Sequence, residues 1–246
     1  MGSQPNLMDD KRLVRACFYG DLGSGKTTLA GRIAKVIGGP VCLINTDSAW
    51  TILQRDEELA ERITRYKYDS QPQVRMIIQA HIEGIEPFAS FKTIIWDTFT
   101  TSVDRSLRDL VKLKPETGGK HPDPSIESYK HYRMSANSTK DTVDLLAESD
   151  LNVIYTGHVR QPSDKDKDEG KFAIRPNSPE ANYNVVGQEV NLIGWLFKEK
   201  VAGKFLRKIQ TSGTTTETAK SQIPTIPESI LEQDQIPDLI EKWIRS

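Results

Sequence analysis

The residue types best suited to chemistry in this chain are gathered near its start. The stretch "GDLGSGKTT", residues 20–28, sets Gly20 and Gly25 ahead of Lys26 and Thr27, with the G-x-x-x-x-G-K-[ST] spacing of a phosphate-binding loop. Glycines let the backbone close around an anion and turn successive N–H groups inward, and a helix starting there adds its positive end. On this reading Gly20, Asp21, Leu22, Gly23, Ser24 and Gly25 form the cradle of an ATP site. Lys26 reaches the β- and γ-phosphates, Thr27 ligates Mg²⁺ through its hydroxyl, and Thr28 contacts the α-phosphate. A glycine-rich turn with no ligand is the plain alternative.

A loop of this kind needs a carboxylate to hold the metal. "TIIWDTFT" ends an apolar run in Asp97, the form of a Walker B acid that binds the Mg²⁺ shell. Apolar runs ending in Asp are common, so the pairing with the loop about seventy residues upstream carries the assignment.

These residues need elements to position them. Four apolar runs, residues 14–19, 40–45, 92–97 and 151–157, are continuous rather than alternating, as strands buried on both faces require. The first leads into "KTTLAGRIAKVIG", whose apolar residues recur at helical spacing and which Gly38 and Gly39 close. Further covering helices are expected at "QVRMIIQAHIEGI", at "TTSVDRSLRDLVKL" and from about Ser125 to Glu148. Alternating strands and helices predict an α/β fold, a doubly wound, mostly parallel twisted sheet whose ligand site lies beyond the strand C-termini. From Val159 the pattern changes to a hairpin with a charged tip. "WLFKEKVAGKFLRKIQTS" then predicts antiparallel strands turning near Gly203, and "QIPDLIEKWI" a last amphipathic helix.

Length and composition bound the rest. The 246 residues suit one large domain, assigned to 13–246, with 1–12 as a disordered or tag-like lead-in. No apolar stretch approaches the roughly 20 residues of a membrane span, and nothing targets the chain away from the cytoplasm. Cys17 and Cys42 lie in apolar runs without CxxC spacing and read as buried, reduced thiols. A formal net charge of −1 gives no global attraction to nucleic acid, so any polyanion site is a local patch.

The loop, the Asp97 strand and the segments that follow them resemble the RecA-like ATPase core. More narrowly, from about Val14 to Ile226, they are similar to the phage nucleotide-binding proteins of the AAA_24 type, which include Sak-type single-strand annealing recombinases. That resemblance implies a RecA-like P-loop NTPase fold. It implies that Asp47, in "VCLINTDSAW", stands where a carboxylate polarises the attacking water, although Glu is commoner there; a cap of the following turn is the alternative. It places a γ-phosphate sensor at the end of "VIYTGHVR", at His158 or the nearby Thr156. It also matches Lys220, in "TAKSQIP", to a basic residue that reaches a neighbouring subunit's nucleotide, with Gln222 where Arg is frequent.

The same resemblance implies single-stranded DNA as a partner, bound through loops after the Asp97 region and after the sensor strand. In this chain the first offers Lys112, Lys114, Lys120 and His121, and the second Arg160, Lys171 and Arg175, which suit phosphate contacts. Phe172, Tyr129 and Tyr132 are candidate stacking platforms. The second segment is nearly neutral, and a solvated tip explains it equally well. The implied function is Mg-dependent ATP hydrolysis, slow or DNA-stimulated, in phage recombination or annealing, in the host cytoplasm. A homo-oligomer and a single-strand-binding protein are the expected protein partners. A nucleotide switch or replication-loader partner without strong catalysis is the main alternative. A P-loop small-molecule kinase is the weaker one, because no arginine-rich lid is present.

Overall fold

The four apolar runs form strands at the centre of one sheet. The computed structural model describes residues 12–46, 49–113, 128–161, 174–214 and 218–246. Among these, β1 (Arg15–Gly20), β2 (Val41–Asn45), β3 (Ile63–Lys67), β4 (Thr93–Asp97) and β5 (Asn152–Arg160) pair in parallel, in the order β1-β5-β4-β2-β3. The strand β6 (Arg175–Pro176) pairs antiparallel with the end of β5 and forms the base of the expected hairpin. The far side of β1 carries β7 (Leu192–Val201) in parallel, then β8 (Lys204–Gln210) and β10 (Ile230–Glu232) antiparallel; β9 (Lys220–Ser221) also pairs with β7. The turn between β7 and β8 falls at Gly203, which has a positive φ of 81°, a conformation that glycine adopts without the Cβ penalty.

Helices cover both faces, which is why the central strands are apolar throughout. Along β1, Cys17 and Tyr19 face one core layer and Ala16 and Phe18 the other. The Phe18 layer packs on α1 (Lys26–Ile37) through Leu29, Ala30 and Ile33, on α2 (Glu57–Arg62) through Leu59, and on α7 (Ile236–Arg245) through Ile236 and Ile240. The Tyr19 layer packs on α3 (Gln71–Ile82), α4 (Phe99–Leu113), α5 (Tyr129–Glu148) and α6 (Glu180–Glu189). Each core residue of this kind contributes roughly 1.5–3 kcal/mol by leaving water.

Cys17 and Cys42 are buried free thiols, and burial pushes Cys17 up to about 12 and Cys42 upward as well. No helix of the described residues is long and apolar enough to cross a membrane.

The topology positions the chemistry. Because β5 is inserted between β1 and β4, the C-terminal end of β5 lies between the phosphate loop and Asp97. All three strand ends open on the same edge of the sheet, as parallel pairing requires.

Candidate functional site

The loop after β1 is shaped by close approaches that exclude larger residues. A Cβ on Gly20 would stand 2.2 Å from the Leu196 carbonyl oxygen, too close for any side chain. Gly25, at φ 102°, caps α1 in a left-handed conformation. There a Cβ would stand 2.7 Å from Gln233 Oε1. Gln233 in turn donates from Nε2 to the Ser24 carbonyl at 2.8 Å and the Lys208 carbonyl at 3.2 Å, so the C-terminal segment props the loop.

Lys26 is buried at the head of α1. Its Nζ donates to the carbonyls of Gly20 at 2.9 Å and Asp21 at 2.8 Å, which aims the ammonium into the loop. Thr27 Oγ1 faces Asp97, 3.1 Å from Oδ2 and 3.3 Å from Oδ1. Asp97 has no exposed surface, and its Oδ1 also accepts a hydrogen bond from Thr156. A buried carboxylate with a hydroxyl at this distance is a hard oxygen set that suits a small divalent cation. Among the described residues there is no group of three or more His, Cys, Asp or Glu arranged around a metal.

The loop after β2 is tied to the backbone that carries this carboxylate. Thr46 N donates to the Asp97 carbonyl at 2.8 Å, and Thr46 Oγ1 accepts from Thr98 N at 2.9 Å. Arg105 of α4 donates to the Thr46 carbonyl at 2.7 Å. Arg65 of β3 donates to Asn45 Oδ1 at 3.0 and 3.2 Å and lies over the Trp50 ring, 4.5 Å from its centroid, a cation–π contact. These contacts hold Asn45 and Thr46 before, and Trp50 after, the position of Asp47, which itself lies outside the described residues.

A cleft of about 330 Å³ opens over the loop, lined by Gly25, Lys26, Thr27, Thr28, His158 and Arg207 among others. His158 follows Thr156 on β5, and its backbone N–H donates to Thr100 Oγ1 of α4 at 3.0 Å. It also lines a second cleft, of about 420 Å³, with Tyr132, Arg160 and Asn177. Thr156 and His158 are thus divided in role: the first bonds the carboxylate and the second borders both clefts.

The remaining expected residues are more scattered. Lys220 sits on β9 opposite Ile193, is not among the residues lining the cleft, and is pushed to a lower pKa by burial. Arg175 is opposite Arg160 at the hairpin base, where it pairs with Glu180 at 3.4 Å and lies over the Tyr183 ring. Lys112 is exposed in the last turn of α4 and pairs with Asp109 at 3.5 Å. Lys114, Lys120, His121, Lys171 and Phe172 lie outside the described residues.

Sequence reading missed Thr46, Arg105, Arg207 and Gln233. Thr46 adjoins Asp47 and carried a weak signal. The others reach the site from distant elements and carried none.

A comparison with curated proteins gives no match. The model of the AAA_24 family, described as an AAA domain, matches residues 12–223, a span that holds the loop, Asp97, Thr156 and His158. With that match over most of its length and an α/β sheet presenting a phosphate loop beside a buried carboxylate, the chain belongs to the AAA_24 family of AAA domains.

Proposed function

We propose that this nucleotide-binding AAA domain is a Mg-dependent ATPase that acts on single-stranded DNA in recombination or annealing. The observation that carries the ATPase half is the convergence of Thr27 and Thr156 on buried Asp97, beside Lys26 in a glycine cradle. The loop N–H groups and Lys26 hold the triphosphate, and Thr27 with Asp97 hold Mg²⁺. The ion supplies charge neutralisation across the phosphates. The chain's own contribution is positioning and preorganised electrostatics: Asp97 is oriented by Thr156, and Thr46 and Arg105 fix the segment from which Asp47 orients water.

The DNA half is supported by the second cleft. It lies between α4, α5 and the end of β5, offers the Arg160 cation and the half-exposed ring of Tyr132, and shares His158 with the first cleft. A strand on Arg160 and Tyr132 and a phosphate over the loop therefore both bear on one residue, a route for each to sense the other. Lys220 is proposed to act on a neighbouring protomer in a homo-oligomer. A single-strand-binding protein is a proposed further partner, and the host cytoplasm the proposed setting.

The test is ATP turnover with and without a single-stranded oligonucleotide. Stimulation, lost in His158→Ala, supports the reading. Turnover indifferent to DNA, with no oligonucleotide binding at low salt, favours the switch or loader role instead.

A further inference from the structure

The register of β7 and β8 sets Lys198 directly opposite Arg207. Opposed residues of an antiparallel pair project from one face of the sheet, and like charges there repel. The neighbouring pair in the same alternation, Leu196 and Ile209, joins the core layer that packs on α1. Both cations therefore stand on the face that carries the helix of the phosphate loop.

The loop runs against them. A Cβ on Gly23 would lie 3.2 Å from Lys198 Nζ, and one on Gly25 would lie 3.2 Å from Arg207 Cδ and 3.5 Å from its Nε. Two carboxylates line a cleft of about 480 Å³ with both cations, and each is paired to another base: Glu232 with Lys208 at 3.5 Å, and Asp234 with Arg32. Among the described residues neither Lys198 nor Arg207 has a side-chain ion pair or hydrogen bond. Arg207 also lines the cleft that contains Lys26, Thr27 and Thr28.

Two like charges placed opposite each other, with no carboxylate paired to either, at the rim of an anion cradle are explained by an anion between them. We propose that Lys198 and Arg207 form a clamp, supplied by the same chain, that holds the phosphate chain of the nucleotide from the β7–β8 hairpin. Arg207 offers a planar fork of donors and Lys198 a mobile point charge, a combination suited to phosphate oxygens. The place of Arg207 in the cleft over the loop, and the positive end of α1 directed into that cleft, favour the nucleotide over a nucleic-acid backbone as the source of that phosphate. The proposal rests on the nucleotide reading above and adds a second set of phosphate contacts to it.

The experiment titrates Mg·ATP, Mg·ADP, AMP and a single-stranded oligonucleotide into the full chain, its Lys198→Gln and Arg207→Gln variants singly and together, Arg207→Lys, and Lys26→Ala. Both side chains are exposed, so the neutral variants are expected to melt like wild type. The double variant should lose about ten- to a hundredfold in affinity for ATP, lose less for AMP, and regain part of the loss when only Arg207→Lys is made. Unchanged ATP affinity in the double variant, with binding weakened in Lys26→Ala, overturns the clamp and leaves the nucleotide reading intact. A loss confined to a single-stranded oligonucleotide assigns the two cations to nucleic acid and also overturns it. Wild-type protein that binds no ATP overturns both.

Discussion

Thr156 of β5 donates its hydroxyl to Asp97 Oδ1, the carboxylate of β4 whose two oxygens face Thr27. The strand between the loop and the carboxylate thus orients the group proposed to hold the metal. Replacing Thr156 by Val keeps the volume and removes the donor. Because residues that orient a metal ligand typically influence affinity or activity by about 10–100-fold, Thr156→Val should raise the Mg²⁺ concentration needed for turnover by that order. Nucleotide binding measured in EDTA should not change. An unaltered Mg²⁺ titration would reduce Thr156 to a packing residue.

Two glycines should respond in opposite directions. Gly20→Ala drives a Cβ into the Leu196 carbonyl, and overpacking of this kind costs roughly 1–3 kcal/mol. Gly187, inside α6, has only Ile193 Cδ1 near its Cβ position, at an ordinary 3.6 Å. Gly187→Ala should therefore stabilise by about 0.5–1 kcal/mol through helix propensity and a less flexible unfolded chain. Urea denaturation of the two variants checks both signs.

The thiols should be silent until the fold opens. Burial pushes Cys17 up to about 12 and Cys42 upward too, so at pH 8 both remain protonated and out of reach, and the thiolate is the reactive form. A chromogenic disulfide should report no rapid reaction in native protein and two thiols in denaturant. Rapid labelling of either in the native state would contradict the central placement of β1 and β2.

Much of this architecture is legible in the sequence, and the parts that are not share a physical cause. The central strands are marked by continuous apolar runs because both their faces are covered. β3, "ITRYK", sits at the edge with mostly exposed side chains, and so lacked that mark. The helix α6 was missed because its buried positions include the polar Asn182, which donates to Thr139 Oγ1 at 2.7 Å. The loop and Asp97 were found from spacing, since their chemistry dictates residue type at short range. The partnership of Thr156 with Asp97 depends on strand order and register, which spacing along one chain does not encode.

Nucleic-acid binding should be electrostatic and local. Arg160 and Arg175 meet across the hairpin base beside the second cleft. If Arg160 contacts a backbone phosphate, Arg160→Ala should weaken oligonucleotide binding and make the log–log salt slope shallower by about one unit. It should leave ATP affinity unchanged. A wild-type slope retained in the variant would remove Arg160 from the interface.

The central claim is that Gly20–Thr28 hold the phosphates of ATP, and direct titration of Mg·ATP into wild type and Lys26→Ala tests it. The Lys26 ammonium is aimed into the loop by the Gly20 and Asp21 carbonyls, and a charge-assisted contact is worth roughly 1.5–3 kcal/mol. Wild type should bind saturably, and Lys26→Ala should bind about ten- to a hundredfold more weakly while still unfolding in one cooperative melt. Equal affinity in the two proteins, or no binding by wild type, would contradict the account.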